Sequence, residues 1–143
     1  MAKGGAQRIR VTLRWIQIKD NKEAPWDDEG EFRFRARVTT AARTQETEFP
    51  EDGYWSISDH PRRSKVEKID KVLYDGEAGD TLVIELSGFE MDQLSGSDAL
   101  TLYRREYSSD PSSWVGLHQP TDEGSSDRES MVDWRIAYAV ELV

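Results

Sequence analysis

Glu31-Phe32-Arg33-Phe34-Arg35-Ala36-Arg37-Val38 alternates without a break, placing Phe32, Phe34, Ala36 and Val38 on one side and three arginines on the other. Side chains along a β-strand point to opposite faces with a period of two, so this stretch predicts a half-buried strand with its arginines in water. A strand with one wet face belongs to an antiparallel sheet rather than to a parallel sheet covered on both sides.

The rest of the chain repeats the theme. From Arg8 to Lys19, Ile9, Val11, Leu13 and Trp15 alternate with polar residues, and the apolar phase then changes to Ile16 and Ile18, which predicts a bulge or kink near Trp15-Ile16. Tyr54 to Ile57 is a short strand candidate. Val72-Leu73-Tyr74 and Thr81 to Leu86 flank Asp75-Gly76-Glu77-Ala78-Gly79-Asp80, whose glycines mark a hairpin. Ala99 to Tyr103 resumes an extended pattern towards Tyr107, and Trp134 to Leu142 carries bulky apolar groups at even positions. Residues 39–50 give no firm signal. Ser108 to Ser130 reads as a long polar connection that Trp114, Val115 and Leu117 pin to the core. Tyr54, Trp55, Tyr103, Trp114, Trp134 and Tyr138 are assigned mostly to the core. No segment has a sustained helical period. The fold class is all-β, an antiparallel β-sandwich of about seven to eight strands.

At 143 residues the chain is expected to form one sandwich over 8–143 behind a flexible N-terminus, 1–7. A net charge of -9 and the absence of a clustered lysine and arginine face argue against nucleic acid as a partner. The densest basic stretch, His60 to Lys71, reads as a solvated face or as a patch for anionic groups. No cysteine is present and only His60 and His118 supply imidazole, so thiolate sites, cysteine nucleophiles and ordinary zinc centres are set aside. No apolar run approaches the roughly 18 residues of a membrane span, and Met1 to Ala6 lacks the apolar core of a signal peptide; a cytoplasmic location is expected.

Two acidic segments carry the functional reading. Glu90, Asp92 and Asp98 lie in Gly88-Phe89-Glu90-Met91-Asp92-Gln93-Leu94-Ser95-Gly96-Ser97-Asp98, where Ser-Gly-Ser lets the chain turn back. The earlier segment Asp20 to Glu31 has Asp20 at one end and Asp27, Asp28, Glu29 and Glu31 at the other. Converging carboxylates repel unless something neutralises them, and a hard cation such as Ca2+ takes six to eight oxygens at about 2.3–2.6 Å. Each segment alone also reads as a plain solvated loop.

Asp20 and Asp28 before one strand, and an acid-x-Asp-x5-Asp set (Glu90, Asp92, Asp98) after a later one, resemble the calcium-binding loops of C2 domains. The resemblance covers two loops and their flanking strands, about a third of the chain. It departs from that family at Glu90, which stands for Asp, at Asp28-Glu29-Gly30-Glu31-Phe32 in place of Ser-Asp-Pro-Tyr, and at Thr101 in place of glycine. It implies a C2-like sandwich with Asp20, Asp28, Glu90, Asp92 and Asp98 as calcium ligands, and calcium-dependent docking to an anionic membrane surface or a protein partner. Trp26 and Leu94 would meet that surface, since tryptophan prefers the interfacial depth of a bilayer; Trp26 could equally fold back over the sandwich end. The other classes are a structural or assembly module without an obligatory metal, and a small hydrolase using Glu90 and Asp92 as acid and base. Small size and carboxylates better spaced for a cation favour an interaction module over an enzyme.

Overall fold

Phe32, Phe34, Ala36 and Val38 are fully buried, Arg35 and Arg37 are exposed, and Arg33 is half-buried, as the alternation requires. A computed structural model describes residues 7–19, 29–58, 65–90, 99–122 and 126–143. Among these lie ten strands: β1 (Arg8–Ile18), β2 (Glu29–Thr40), β3 (Thr44–Phe49), β4 (Trp55–Ser58), β5 (Lys65–Val66), β6 (Lys71–Glu77), β7 (Thr81–Glu90), β8 (Tyr103–Ser108), β9 (Gly116–His118) and β10 (Trp134–Leu142). They form two antiparallel five-stranded sheets packed as a sandwich. In one, β10 lies between β1 and β9 while β5 and β6 share the far edge of β1; in the other, β7 lies between β2 and β8 while β3 and β4 share the far edge of β2.

The phase change in β1 is a bulge. Leu13 pairs with Tyr138 and Trp15 with Ala137, leaving Arg14 as the extra residue, so Ile9, Val11 and Leu13 and then Ile16 and Ile18 all face the core. Phe34 is the centre of that core, with the rings of Phe49, Trp134, Trp55 and Phe32 at 5.4, 5.6, 5.9 and 6.1 Å. Its neighbour across the sheet is Gly88, where an added Cβ would stand 2.6 Å from Phe34 Cδ1 and 2.9 Å from Leu100 Cδ1. A ring stacked on both sides cannot retreat. Gly88→Ala is therefore expected to lower stability by about 1–3 kcal/mol through overpacking, read as a shifted urea midpoint at unchanged m.

Four expectations are corrected. Residues 44–49, which gave no signal, form β3, an edge strand whose only fully buried side chain is Phe49. The 75–80 connection is shorter than read: Asp75, Gly76 and Glu77 belong to β6, and Gly79, at φ +68°, makes the turn. In 108–130, of the three residues expected to pin the connection only Trp114 is buried. It is buried at the end of a 3-10 turn, Pro111–Trp114, capped by Asp110 and tied by its indole N–H to the Ser108 carbonyl at 2.9 Å. Val115 and Leu117 are 47% and 53% exposed because β9 lies at a sheet edge with both outside the core. Of the six aromatics assigned to the core, Tyr54 is 49% exposed.

The outer faces differ. On the β2 sheet, Arg33 and Arg35 meet Glu48 at 3.1 and 2.8 Å, Arg37 meets Glu46 at 3.0 Å, and Arg104 meets Glu85 and Glu106. These pairs, most of them exposed, add little stability each, but keep the face wet and the β3 edge charged. The outer face of the β1 sheet holds Arg8 and Arg10 on Asp75 at 3.4 and 3.2 Å and, beside them, a neutral ladder, Leu117–Ala139–Thr12–Val72, one residue per strand.

Between β8 and β10 the sandwich is closed by buried hydroxyls. Tyr138 Oη lies 2.7 Å from Tyr103 Oη and 2.6 Å from Tyr107 Oη; Tyr103 Oη donates to Glu129 Oε2 at 3.1 Å, which also accepts from Arg105 Nη1 at 2.9 Å. No helix among the described residues is long and apolar enough to cross a membrane.

Candidate cation site

Strand pairing decides where the two acidic segments emerge. Phe32 near the start of β2 pairs with Glu90 at the end of β7, and Glu29 pairs with Ser58 one turn of the ladder further out. The segment entering β2 and the segment leaving β7 therefore spring from one end of the sandwich. The end of β1 lies there too, since Ile18 pairs with Trp134 and Lys19 N–H donates to the Asp133 carbonyl at 2.8 Å.

Glu90 follows the inward phase of β7, in which Leu82, Ile84, Leu86, Gly88 and Glu90 all point into the sandwich. At 5% exposure its carboxylate is buried, and Oε2 accepts the backbone N–H of Glu31. A charged acceptor on a main-chain donor makes a strong hydrogen bond. It ties the exit of β7 to the entry of β2, so the roots of both acidic segments are held together. Phe89, in the outward phase, is 40% exposed. The return of the second segment is fixed as well: Ala99 bridges to Phe89, and Leu100 N–H donates to the Gly88 carbonyl at 2.7 Å.

Asp20, Asp28, Asp92 and Asp98, and with them Trp26 and Leu94, lie outside the described residues. Of the five proposed ligands only Glu90 lies among the described residues, buried and hydrogen-bonded to the Glu31 N–H. Among the described residues no group of three or more histidine, aspartate and glutamate side chains is arranged to hold a metal ion. Residues 60–64 of the basic stretch also lie outside them; in the rest, Lys68 is exposed, and Lys71 is half-buried with Glu51 at 3.4 Å.

Beneath this end is a polar floor that the residue pattern did not single out. Asp133, buried, accepts the Thr101 N–H on Oδ2 at 2.9 Å, while the Trp134 indole donates to the Thr101 carbonyl at 2.7 Å. Thr101, where a C2 domain would have glycine, is thus stitched to β10 through its backbone. Arg135, also buried, donates to Gln17 Oε1 at 2.9 Å and to the Asp122 carbonyl. Buried charge of this kind persists only where it is hydrogen-bonded.

Six carboxylates against one lysine occupy 20–28 and 91–98. Like charges crowded together repel, and a cation among them would reverse that penalty. Compared with known proteins, the chain matches no family model and no curated relative, so its likeness to C2 domains rests on the acidic spacing and the sandwich alone.

Proposed function

We propose that the protein is a calcium-binding interaction module of C2-like type, in which 20–31 and 88–98 close around Ca2+ and then dock on an anionic membrane surface. The observation that supports this reading is the Glu90–Glu31 hydrogen bond, which roots both acidic segments at one end of the sandwich. Asp20, Asp28, Asp92 and Asp98 supply the oxygens, with Glu90 beneath them. Bound calcium cancels the repulsion among the carboxylates and presents Trp26, next to Pro25, and Leu94 outward. An indole at the headgroup level adds apolar burial while keeping its N–H wet.

Sedimentation with phosphatidylserine-containing vesicles tests it. The protein is expected to sediment in calcium and to stay in the supernatant in chelator, and Trp26→Ala is expected to reduce the bound fraction severalfold. Equal sedimentation of wild type and variant, or equal sedimentation with and without calcium, rejects the docking role.

A second reading, an assembly module without obligatory metal, is favoured by the neutral ladder Leu117–Ala139–Thr12–Val72 on the outer face of the β1 sheet. Leu117 and Val72 are exposed on that face, to one side of the Arg8–Asp75 and Arg10–Asp75 pairs, whereas ion pairs run across all of β3, β2, β7 and β8 on the opposite sheet. A particle size that grows with protein concentration, lipid and calcium being absent, distinguishes it.

A further inference from the structure

The sandwich is open along the edge where β3 and β4 face β5 and β6. Between them lies a cleft of about 400 Å³ lined by Phe49, Pro50, Trp55, Val66 and Ile69, with Glu51, Glu67, Lys68 and Lys71 around its mouth. That volume falls in the range of small-molecule sites, roughly 300–1,000 Å³. The floor is the outer end of the aromatic cluster: Trp55 leans on Phe34 and Phe49 at 5.9 and 5.7 Å, tilted 46° and 48°. Its indole is only half-buried, so part of it is presented to the cleft.

The opposite wall is held rigidly. Ile69 N–H donates to the carbonyl of Arg14, the bulged residue of β1, at 3.1 Å, and Arg14 Nε meets Asp70 Oδ1 at 2.8 Å. The flanking residues Lys68 and Asp70 take φ values of 57° and 45°, a left-handed conformation that non-glycine residues adopt only where the surroundings impose it. A wall fixed in this way needs little ordering when a ligand arrives.

The mouth decides the class of ligand. Its two carboxylates and two ammonium groups balance, so a net charge on the ligand gains no net attraction, and a purely apolar ligand would leave four charged groups facing it. A neutral ring with one apolar face and a periphery of hydroxyls satisfies both conditions: hydroxyls donate to Glu51 and Glu67 and accept from Lys68 and Lys71, while the apolar face covers Trp55. An ion pair at the mouth, Lys71 Nζ to Glu51 Oε2, is long at 3.4 Å and exposed on the Glu51 side, so a hydroxyl can share it at small cost. We propose that this cleft binds a neutral hexose unit of a glycan, with Trp55 as the stacking platform and Glu51, Glu67, Lys68 and Lys71 as its hydrogen-bonding rim. The site is independent of the calcium reading and does not use its acidic segments.

The test is an NMR titration of the full chain with soluble gluco-, manno- and galacto-oligosaccharides, following the Trp55 indole N–H assigned through Trp55→Phe. At least one neutral oligosaccharide is expected to give a saturable shift with Kd of about 1 mM or below, unchanged in chelator. Trp55 packs on the core and its replacement can disturb folding, so the decisive variant is Glu67→Ala with Lys68→Ala, both exposed and outside the core. This variant should melt like wild type and bind at least about fivefold more weakly, a loss of roughly 1 kcal/mol. No saturable shift with any neutral oligosaccharide overturns the proposal. So do binding that needs calcium, tighter binding of glucuronate or of a fatty acid at the same resonance, and unweakened binding by the double variant.

Discussion

Above pH 10 the protein is expected to lose stability steeply, and the loss traces to the hydroxyl cluster between β8 and β10. Burial raises Tyr138 and Tyr103 well above the ordinary tyrosine value, and the neighbouring Tyr103, Tyr107 and Glu129 add to it by resisting a further negative charge. Tyr107 is raised in the same direction, again chiefly by burial, with Arg105 opposing the shift from 4.9 Å above its ring. In the unfolded chain each of these hydroxyls ionises near 10. Below that pH both states hold the proton and the native contacts count in full. Above it the unfolded state binds fewer protons than the native one, so stability falls with pH, by about 1.4 kcal/mol per unit for each tyrosine held protonated. With Tyr103 and Tyr138 fully buried, the slope should approach about 3 kcal/mol per unit, and half-buried Tyr107 adds less. Urea midpoints from pH 9 to 11.5 measure the slope, and the phenolate absorbance should rise together with unfolding rather than before it. In Tyr138→Phe the slope should drop by about one tyrosine's share; an unchanged slope would assign the alkaline loss to other groups.

That cluster illustrates where a sequence is legible and where it is not. β2, β7 and β10 announce themselves because one face of each is apolar at every second position, and the bulge in β1 is readable because Ile16 and Ile18 fall out of phase with Leu13. β3 is silent because an edge strand presents one residue, Phe49, to the core and spends the rest on water and ion pairs. Arg135 and Ala137 sit on the outward phase of β10 and are buried all the same. Arg135 is covered from outside, where its guanidinium holds the Asp122 carbonyl, and no periodicity within a strand reports a covering segment. Glu129 and Asp133 lie in or just beyond a polar connection, where nothing local tells a buried carboxylate from a solvated one.

For the cation site, the spacing of Glu90, Asp92 and Asp98 marks a segment rich in oxygens, but the phase of β7 carries further information. Even-numbered positions face inward from Leu82 onward, which turns Glu90 into the sandwich. Its partner, the Glu31 N–H, belongs to another strand and is set by the β2–β7 register, which spacing alone does not contain.

Calcium should raise the melting temperature strongly if the acidic segments close around it. Calcium at about 100 times its dissociation constant adds roughly 2.7 kcal/mol, which for a domain of this length corresponds to a rise of roughly 8–10 °C. Magnesium should give much less, because it demands a smaller octahedral shell and sheds its waters reluctantly, whereas flexible segments suit calcium. Two substitutions separate ligand from anchor. Asp92→Asn removes a charge from a crowded ring, so in chelator it should melt at or above the wild-type temperature while losing most of the calcium response. Glu90→Ala leaves the Glu31 N–H without its acceptor, so it should melt lower in chelator by the equivalent of about 1–3 kcal/mol, whatever calcium then does. A calcium rise that survives Asp92→Asn would place the ion elsewhere. No rise at all would leave 20–28 and 91–98 as solvated surface and bring the neutral ladder across the β1 sheet forward as the working surface of the molecule.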